Sequence, residues 1–204
     1  MPTIIGISGA LRRGSYNAAL LRGAVELAPA GLSIEVASIR EIPLYDGDLE
    51  AEHGIPDPVR ALKDRIAAAD GLLLVTPEYN NSIPGVFKNV VDWLSRPADD
   101  IPRVFGGKPV ALMGATPGRG GTTLAHAAWL PVLRTLGTQT WFGPRLYVSN
   151  AANVFDTGGR IVDEAIRASV ARYLDGFSHF IARVGSAARD PAATTGPRAS
   201  TETA

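Results

Sequence analysis

Three short segments hold most of the residues whose types and spacing could do chemistry. The first is Gly9-Ala10-Leu11-Arg12-Arg13-Gly14-Ser15-Tyr16-Asn17, which follows a strand-like run and leads into a helix. Backbone N–H groups at a helix N-terminus attract an anion, and glycines let the chain approach it closely. The loop carries two guanidinium groups, Arg12 and Arg13; Arg12 can add charge-assisted hydrogen bonds to phosphate oxygens, and Ser15 and Asn17 can supply neutral donors. The plainer alternative is that Ser15 caps the helix and the arginines are solvated. A Walker A loop would need a lysine followed by Ser or Thr, and a dinucleotide fingerprint would need glycines in a G-x-G-x-x-G frame. Gly6, Gly9 and Gly14 fit neither.

The second segment, Thr76-Pro77-Glu78-Tyr79-Asn80-Asn81-Ser82-Ile83-Pro84-Gly85, sets an aromatic ring, a carboxylate and two amides between prolines. Such a loop can border a heteroaromatic edge. Taken singly, Tyr79 also reads as a surface aromatic, and Asn81-Ser82 as turn and capping chemistry. The third, Gly114-Ala115-Thr116-Pro117-Gly118-Arg119-Gly120-Gly121, has four glycines in eight residues. It suits a backbone that approaches something flat, and equally a floppy connector.

The elements that must position these loops alternate along the chain. Strand-like runs at Thr3–Ser8, Ser33–Ser38, Gly71–Thr76, Lys108–Gly114 and somewhere in 138–148 alternate with helical segments. The helices span about Asn17–Ala28, Val59–Ala69, Pro84 to beyond Leu94, Gly121–Leu136 and Arg160–Val184. Leu20, Leu21, Ala24, Val25 and Ala28 form one apolar stripe, and Phe87, Val90, Val91 and Leu94 another. Val162, Ile166, Tyr173, Phe177, Ile181 and Val184 form the last. Residues 40–58, rich in Pro, Asp and Gly, read as a loop. Five strands alternating with five helices predict a doubly wound α/β sheet. In such a sheet ligands bind beyond the carboxyl ends of the strands, where the strand order reverses. The three segments follow strands one, three and four, where a ligand is expected. The expected domain is 1–185, with 186–204, mostly Ala, Thr, Pro, Ser and Arg, as a disordered tail.

Composition narrows the function. Twenty basic and twenty acidic residues cancel, without the basic excess expected of a nucleic-acid-binding domain. The apolar runs are too short to span a bilayer, the N-terminus has no signal-peptide pattern, and a cytoplasmic location is expected. With no cysteine, thiol catalysis, thiolate metal sites and disulfides are excluded. The three histidines, His53, His126 and His179, are scattered and form no ligand cluster. His126 could reach the third loop, but reads as a helix-surface residue. Asp92 and Trp93 read as helix and packing residues.

The segments 9–17, 77–96 (Pro-Glu-Tyr-Asn-Asn-Ser-Ile-Pro-Gly-Val-Phe-Lys-Asn-Val-Val-Asp-Trp-Leu-Ser-Arg) and 114–121, in this order, resemble the NADPH-dependent FMN reductase family. The resemblance is to its branch of bacterial quinone and chromate reductases and azoreductases, and runs from about Ile4 to Val148. It implies a flavodoxin-like three-layer sandwich with a five-stranded parallel sheet in the order 2-1-3-4-5. It also implies non-covalent FMN, with NADPH or NADH as co-substrate. Residues Ala10 to Asn17, chiefly Arg12, Ser15 and Asn17, would hold the FMN phosphate. Pro77, Glu78, Tyr79 and Asn80 would border the ribityl chain and ring, and Thr116, Gly118 and Gly120 would close the other side. Ala10 and Thr116 stand where the family often has serine. The implied chemistry is ping-pong hydride transfer from NAD(P)H through flavin N5 to a small acceptor: a quinone, an azo compound, chromate or free flavin. No side chain is assigned as acid, base or metal ligand. A homodimer or homotetramer is implied too, with Tyr79, Trp129 and Trp141 as candidates for its interface. The rival readings are an electron carrier of the flavodoxin type and a flavin-binding sensor without turnover.

Overall fold

The computed structural model describes residues 1–189; the rest of the expected tail, 190–204, lies outside the described residues. Strands β1 (Thr3–Ser8), β2 (Ser33–Ala37), β3 (Gly71–Val75) and β4 (Pro109–Ala115) pair in parallel, and with β5 (Gln139–Thr140) the sheet runs β2-β1-β3-β4-β5. Each inner strand is buried on both faces, so its side chains alternate between two apolar layers rather than between core and water. Ile4, Leu73, Val75, Ala111 and Met113 point to one layer. There they meet helices α1 (Tyr16–Glu26) and α7 (Glu164–Arg189), through side chains such as Leu20, Leu21, Leu174 and Phe177. Ile5, Ile7, Leu72, Leu74, Val110 and Leu112 point to the other. That layer is closed by α3 (Asp57–Ala68), α4 (Gly85–Leu94) and α6 (Thr123–Thr135), with Ile66, Phe87, Trp93 and Trp129 fully buried.

The expected architecture is present, and four details differ. First, the segment 40–58 contains a helix, α2 (Gly47–His53), capped by Asp46. None of its residues is buried, so the helix has no apolar stripe for periodicity to detect. It is tied down by Glu50, which accepts hydrogen bonds from Arg96 Nε at 2.9 and 3.1 Å. A further short helix, α5 (Ile101–Val104), lies before β4. Second, two residues leave their expected stripes. Val25 is 41% exposed, and Val162 lies before α7 and is 54% exposed. Third, α7 continues past Gly185 to Arg189, so residues 186–189, expected in the tail, are helical.

Fourth, the fifth strand is broken. β5 (Gln139–Thr140) pairs with Pro109 and Val110, and β6 (Tyr147–Val148) pairs with Gly114 and Ala115. Residues 142–145 leave the sheet between them, while Trp141 N–H still donates to Val110 O (2.8 Å) and Leu146 O still accepts from Gly114 N–H (3.1 Å). Gly143 and Pro144 account for part of this, since proline cannot donate to a ladder and glycine weakens one. The Leu112 carbonyl, in the middle of the gap, instead accepts a hydrogen bond from the hydroxyl of Tyr173 on α7.

Candidate functional site

The carboxyl ends of β1, β3 and β4 open into one small cleft of about 190 Å³. Arg12, Ser15, Tyr16 and Asn17 line it from the first loop, Pro77, Glu78 and Tyr79 from the second, and Ala115, Thr116 and Pro117 from the third. The three segments singled out in the sequence meet in space. The volume is below that of a usual small-molecule pocket, so the cleft suits the polar tail of a ligand whose larger part lies at the surface.

The first loop is built to receive an anion. Ser15 is the N-cap of α1, its Oγ accepting from the amides of Asn17 (3.2 Å) and Ala18 (3.3 Å). Its hydroxyl proton stays free to donate. The backbone N–H groups of residues 10–14 have no partner among the described residues, although the loop is closed by Ser15 N–H donating to Arg12 O at 3.2 Å. Open amides, a hydroxyl and a guanidinium at a helix N-terminus match a phosphate in charge and in donor count. Arg12 sits over the Tyr16 ring, 5.8 Å from its centroid. Arg13 does not join it. With Gly14 it lines a second cleft, beside Arg22 and the turn 155–159.

Asn17 is committed to the scaffold. Its Nδ2 donates to Ala115 O at 2.8 Å, and its Oδ1 accepts from Ala115 N at 2.9 Å, with the side chain 3% exposed. The amide therefore stitches the first loop to the third. Glu78 is also committed. Its Oε2 accepts from the amides of Leu124 (2.8 Å) and Ala125 (3.0 Å), capping α6, whose own N-cap residue Thr122 makes no side-chain bond. The negative carboxylate suits the positive end of that helix. It leaves the Glu78 backbone as its contribution to the cleft.

Tyr79 to Ser82 form a tight reversal, with Tyr79 and Ser82 exchanging backbone hydrogen bonds at 3.1 and 3.2 Å. Asn80 (φ 49°) and Asn81 (φ 60°) occupy its left-handed positions, which asparagine tolerates better than other side chains. The turn holds Tyr79 at the rim, 49% exposed. The third loop is not a floppy connector. Thr116 N–H donates to Val148 O (2.9 Å), Ala151 N–H to Thr116 O (3.1 Å) and Asn150 N–H to Gly118 O (3.0 Å). Gly118 and Gly120, expected at the site, do not line the cleft itself.

Gly114 shows how closely these parts fit. A Cβ there would lie 2.3 Å from the carbonyl oxygen of Thr76 and 2.3 Å from Thr122 Oγ1. Because the backbone oxygen belongs to the residue that follows β3, itself held to β4 by Thr76 N–H donating to Met113 O, it cannot move aside cheaply. Gly114→Ala is expected to cost about 2 kcal/mol, as overpacking does. Chemical denaturation checks this, and an unchanged midpoint would contradict the packing described.

Two expectations are corrected. His126 is not a surface residue: it is 8% exposed, and burial pushes its imidazole down to about 4, against the opposing effect of a hydrogen bond to the Met113 backbone. Trp129 is fully buried, donates to Thr76 Oγ1 at 3.2 Å and packs edge-on to Phe87, so it cannot serve an interface. Asp92 pairs with Lys88 along α4 and Trp93 is fully buried, as expected.

With the loops converging at the switch point of a 2-1-3-4-5 sheet, comparison with known proteins becomes decisive. Residues 2–153 match the family model for NADPH-dependent FMN reductases. The chain belongs to the NADPH-dependent FMN reductase family. It is 42% identical over 181 residues to an NAD(P)H-dependent FMN reductase of Pseudomonas aeruginosa, covering 89% of this chain and 96% of that one. It is 35% identical over 183 residues to the quinone reductase of Escherichia coli, covering 89% and 96%. Among solved structures it resembles FerB, a flavoenzyme NAD(P)H:acceptor oxidoreductase from Paracoccus denitrificans. The TM-score is 0.80 at 34% identity, over 90% of this chain and 98% of that one.

Proposed function

We propose that this member of the FMN reductase family binds FMN non-covalently in the three-loop cleft and oxidises NADPH or NADH to reduce a small acceptor of the quinone type. The observation that carries this reading is the convergence of an anion-binding helix N-terminus with two further loops at one topological switch point. When bound, FMN supplies the hydride and electron chemistry, and the protein supplies binding, orientation and electrostatics.

In this reading the free amides of residues 10–14, the Ser15 hydroxyl and Arg12 hold the phosphate. The small cleft takes the chain that follows the phosphate. The backbone at Pro77 and Glu78, the Asn80 turn and the loop from Thr116 through Gly118 and Gly120 flank the ring. Tyr79, at the rim, borders the face where nicotinamide and acceptor alternate. Asn17 and Glu78 act as positioning residues, through Ala115 and through helix α6. Ala10, Leu11, Gly14 and Tyr16 contribute backbone and packing, while Arg13 lies apart from the phosphate.

Removing Arg12 deletes charge-assisted bonds, worth about 1.5–3 kcal/mol for charged groups. Arg12→Ala is therefore expected to weaken FMN binding roughly tenfold or more. Arg13→Ala should leave it nearly unchanged. Flavin fluorescence titration distinguishes the two, and equal losses would reject the placement.

The function itself is tested by the visible spectrum of the FMN-loaded protein before and after anaerobic NADPH. Bleaching at a catalytically useful rate, reversed by a quinone, is expected. Bound flavin that stays oxidised would leave an electron carrier or a sensor as the reading. Failure to retain FMN would reject the cleft assignment altogether. A homodimer or homotetramer and a cytoplasmic location belong to the same proposal. Among the described residues no helix is long and apolar enough to cross a membrane.

A further inference from the structure

The break in the fifth strand opens a cavity of about 400 Å³ at the edge of the sheet. None of residues 9–17, 76–85 or 114–121 lines it, so it is separate from the flavin cleft. Its walls come from both faces of the sheet. His126 and Leu130 belong to α6 on one face, and Tyr173 belongs to α7 on the other. Trp141, Phe142 and Tyr147 come from the excursion and the strand that resumes after it.

The opening is built into the packing. The Trp141 ring lies edge-on to Tyr173, with centroids 4.8 Å apart, and tilted against Phe177 at 5.6 Å. Two glycines make room for it. A Cβ on Gly176 would meet the indole at 2.9 Å, and one on Gly143 at 2.0 Å. The wedged indole lies where residues 142–145 turn away from β4, the Trp141 N–H itself still donating to Val110 O at 2.8 Å. The Tyr173 hydroxyl then takes over the Leu112 carbonyl that a continuous strand would have paired. With its backbone acceptor satisfied this way, the gap is a stable feature of the fold.

One polar atom of a residue in the cavity wall lacks a partner, and it lies behind the lining rather than open to the cavity. Nε2 of His126 is buried and makes no hydrogen bond. The ring interacts with the Met113 backbone, and burial keeps the imidazole neutral near pH 7. A neutral imidazole keeps one ring nitrogen as an acceptor, and Nε2, which has no partner, can fill that role. Tyr147, half-buried and edge-on at 4.5 Å between centroids, packs against the imidazole. At the rim are Phe142, 77% exposed, and Arg145, also exposed, which no carboxylate among the described residues pairs. A ligand that matches this set has a flat apolar body for the aromatic walls, a hydroxyl donor for Nε2 and an anionic group for the guanidinium.

We propose that the cavity at the broken fifth strand is a second binding site, for a small aromatic hydroxy acid. Its phenolic O–H donates to His126 Nε2 as Tyr147 turns aside, and its carboxylate faces Arg145. No bond is made or broken there.

The test titrates the FMN-loaded protein with 4-hydroxybenzoate by calorimetry, with benzoate as the probe that lacks the donor. Submillimolar binding of one equivalent per chain is expected, with the flavin spectrum unchanged and benzoate at least tenfold weaker. His126→Phe should remove the difference between the two probes. Arg145→Gln should weaken both several-fold. Ala127→Leu, which adds bulk at an exposed position on the cavity wall without touching the core, should block both. Because Ala127 and Arg145 are exposed, these two variants keep the test valid even where His126→Phe folds poorly. No heat from either probe would overturn the proposal. So would displacement of FMN, or binding that Ala127→Leu leaves intact. A cavity covered by a second copy of the chain would also overturn it; Phe142→Ser would then lower the mass in solution and leave the probes unbound.

Discussion

Asn17→Ala is expected to lower the stability of the protein by about 3 kcal/mol, because it strands two buried backbone groups at once. The amide of Ala115 loses its acceptor and the carbonyl of Ala115 loses its donor. Each unsatisfied buried group costs about 1–3 kcal/mol. Water cannot easily replace the amide, since Asn17 is 3% exposed and Ala115 2% exposed. For a chain of this length the melting temperature should fall by roughly 6–12 °C. The functional consequence should exceed the stability loss. The same two bonds hold the anion-binding loop against the loop after β4, and misplaced donors bind a phosphate poorly. FMN affinity should therefore drop although Asn17 is not the group that carries the charge. Asn17→Asp separates the roles: its carboxylate can still accept from Ala115 N–H but cannot donate to Ala115 O. It should recover part of the stability and, by adding a negative charge beside the phosphate loop, little of the FMN affinity. A variant that keeps wild-type melting and loses only FMN would mean that Asn17 is a ligand rather than a clamp.

The contrast between Asn17 and Arg12 shows what was legible in the sequence. The helix start at Ser15, the anion-binding character of the loop and its place after the first strand all follow from local chemistry. So does the buried, unbroken apolar character of Gly71–Val75, which marks a central parallel strand. Local chemistry does not say which polar side chain faces the ligand and which faces the fold. Asn17 and Glu78 look like ligands in one dimension, yet their partners are Ala115, Leu124 and Ala125, far along the chain. Arg12 and Arg13 are adjacent and chemically equal, yet they line different clefts. The broken fifth strand was only half legible. Gly143 and Pro144 signal an interruption, but the tyrosine that takes over the orphaned carbonyl lies on the last helix. Helix α2 escaped notice because it buries nothing, and periodicity reports burial rather than helix.

His126 is the other residue that local reading misplaced, and its burial has a large expected effect on acid stability. In the unfolded chain the imidazole titrates near its ordinary value of 6.5, and in the fold burial pushes it down to about 4. Between these values the unfolded chain holds a proton that the folded protein does not. The unfolded state binds more protons, so stability rises with pH across this window and falls as pH drops from above 6.5 towards 4. A separation of roughly 2.5 pH units at 1.36 kcal/mol each puts the contribution at about 3 kcal/mol. Below about pH 4 both states carry the proton, and this contribution stops changing. The acidic groups whose carboxyls are held low, Glu50 beside Arg96, Asp100 beside Arg103 and Lys63, and Asp156 beside Arg160, act from their ordinary values downward, near 4.5 for the glutamate and 3.8 for the aspartates, at the acid end of the window. Denaturation midpoints from pH 4.5 to 7.5 should therefore show a slope in the wild type that His126→Phe largely removes. His126→Gln, which keeps a hydrogen-bonding group but cannot titrate, should flatten the slope in the same way if the phenylalanine packs poorly. Parallel curves for wild type and both variants would mean that the imidazole is solvated in solution. The buried acceptor behind the cavity wall at the broken strand would then be lost with it.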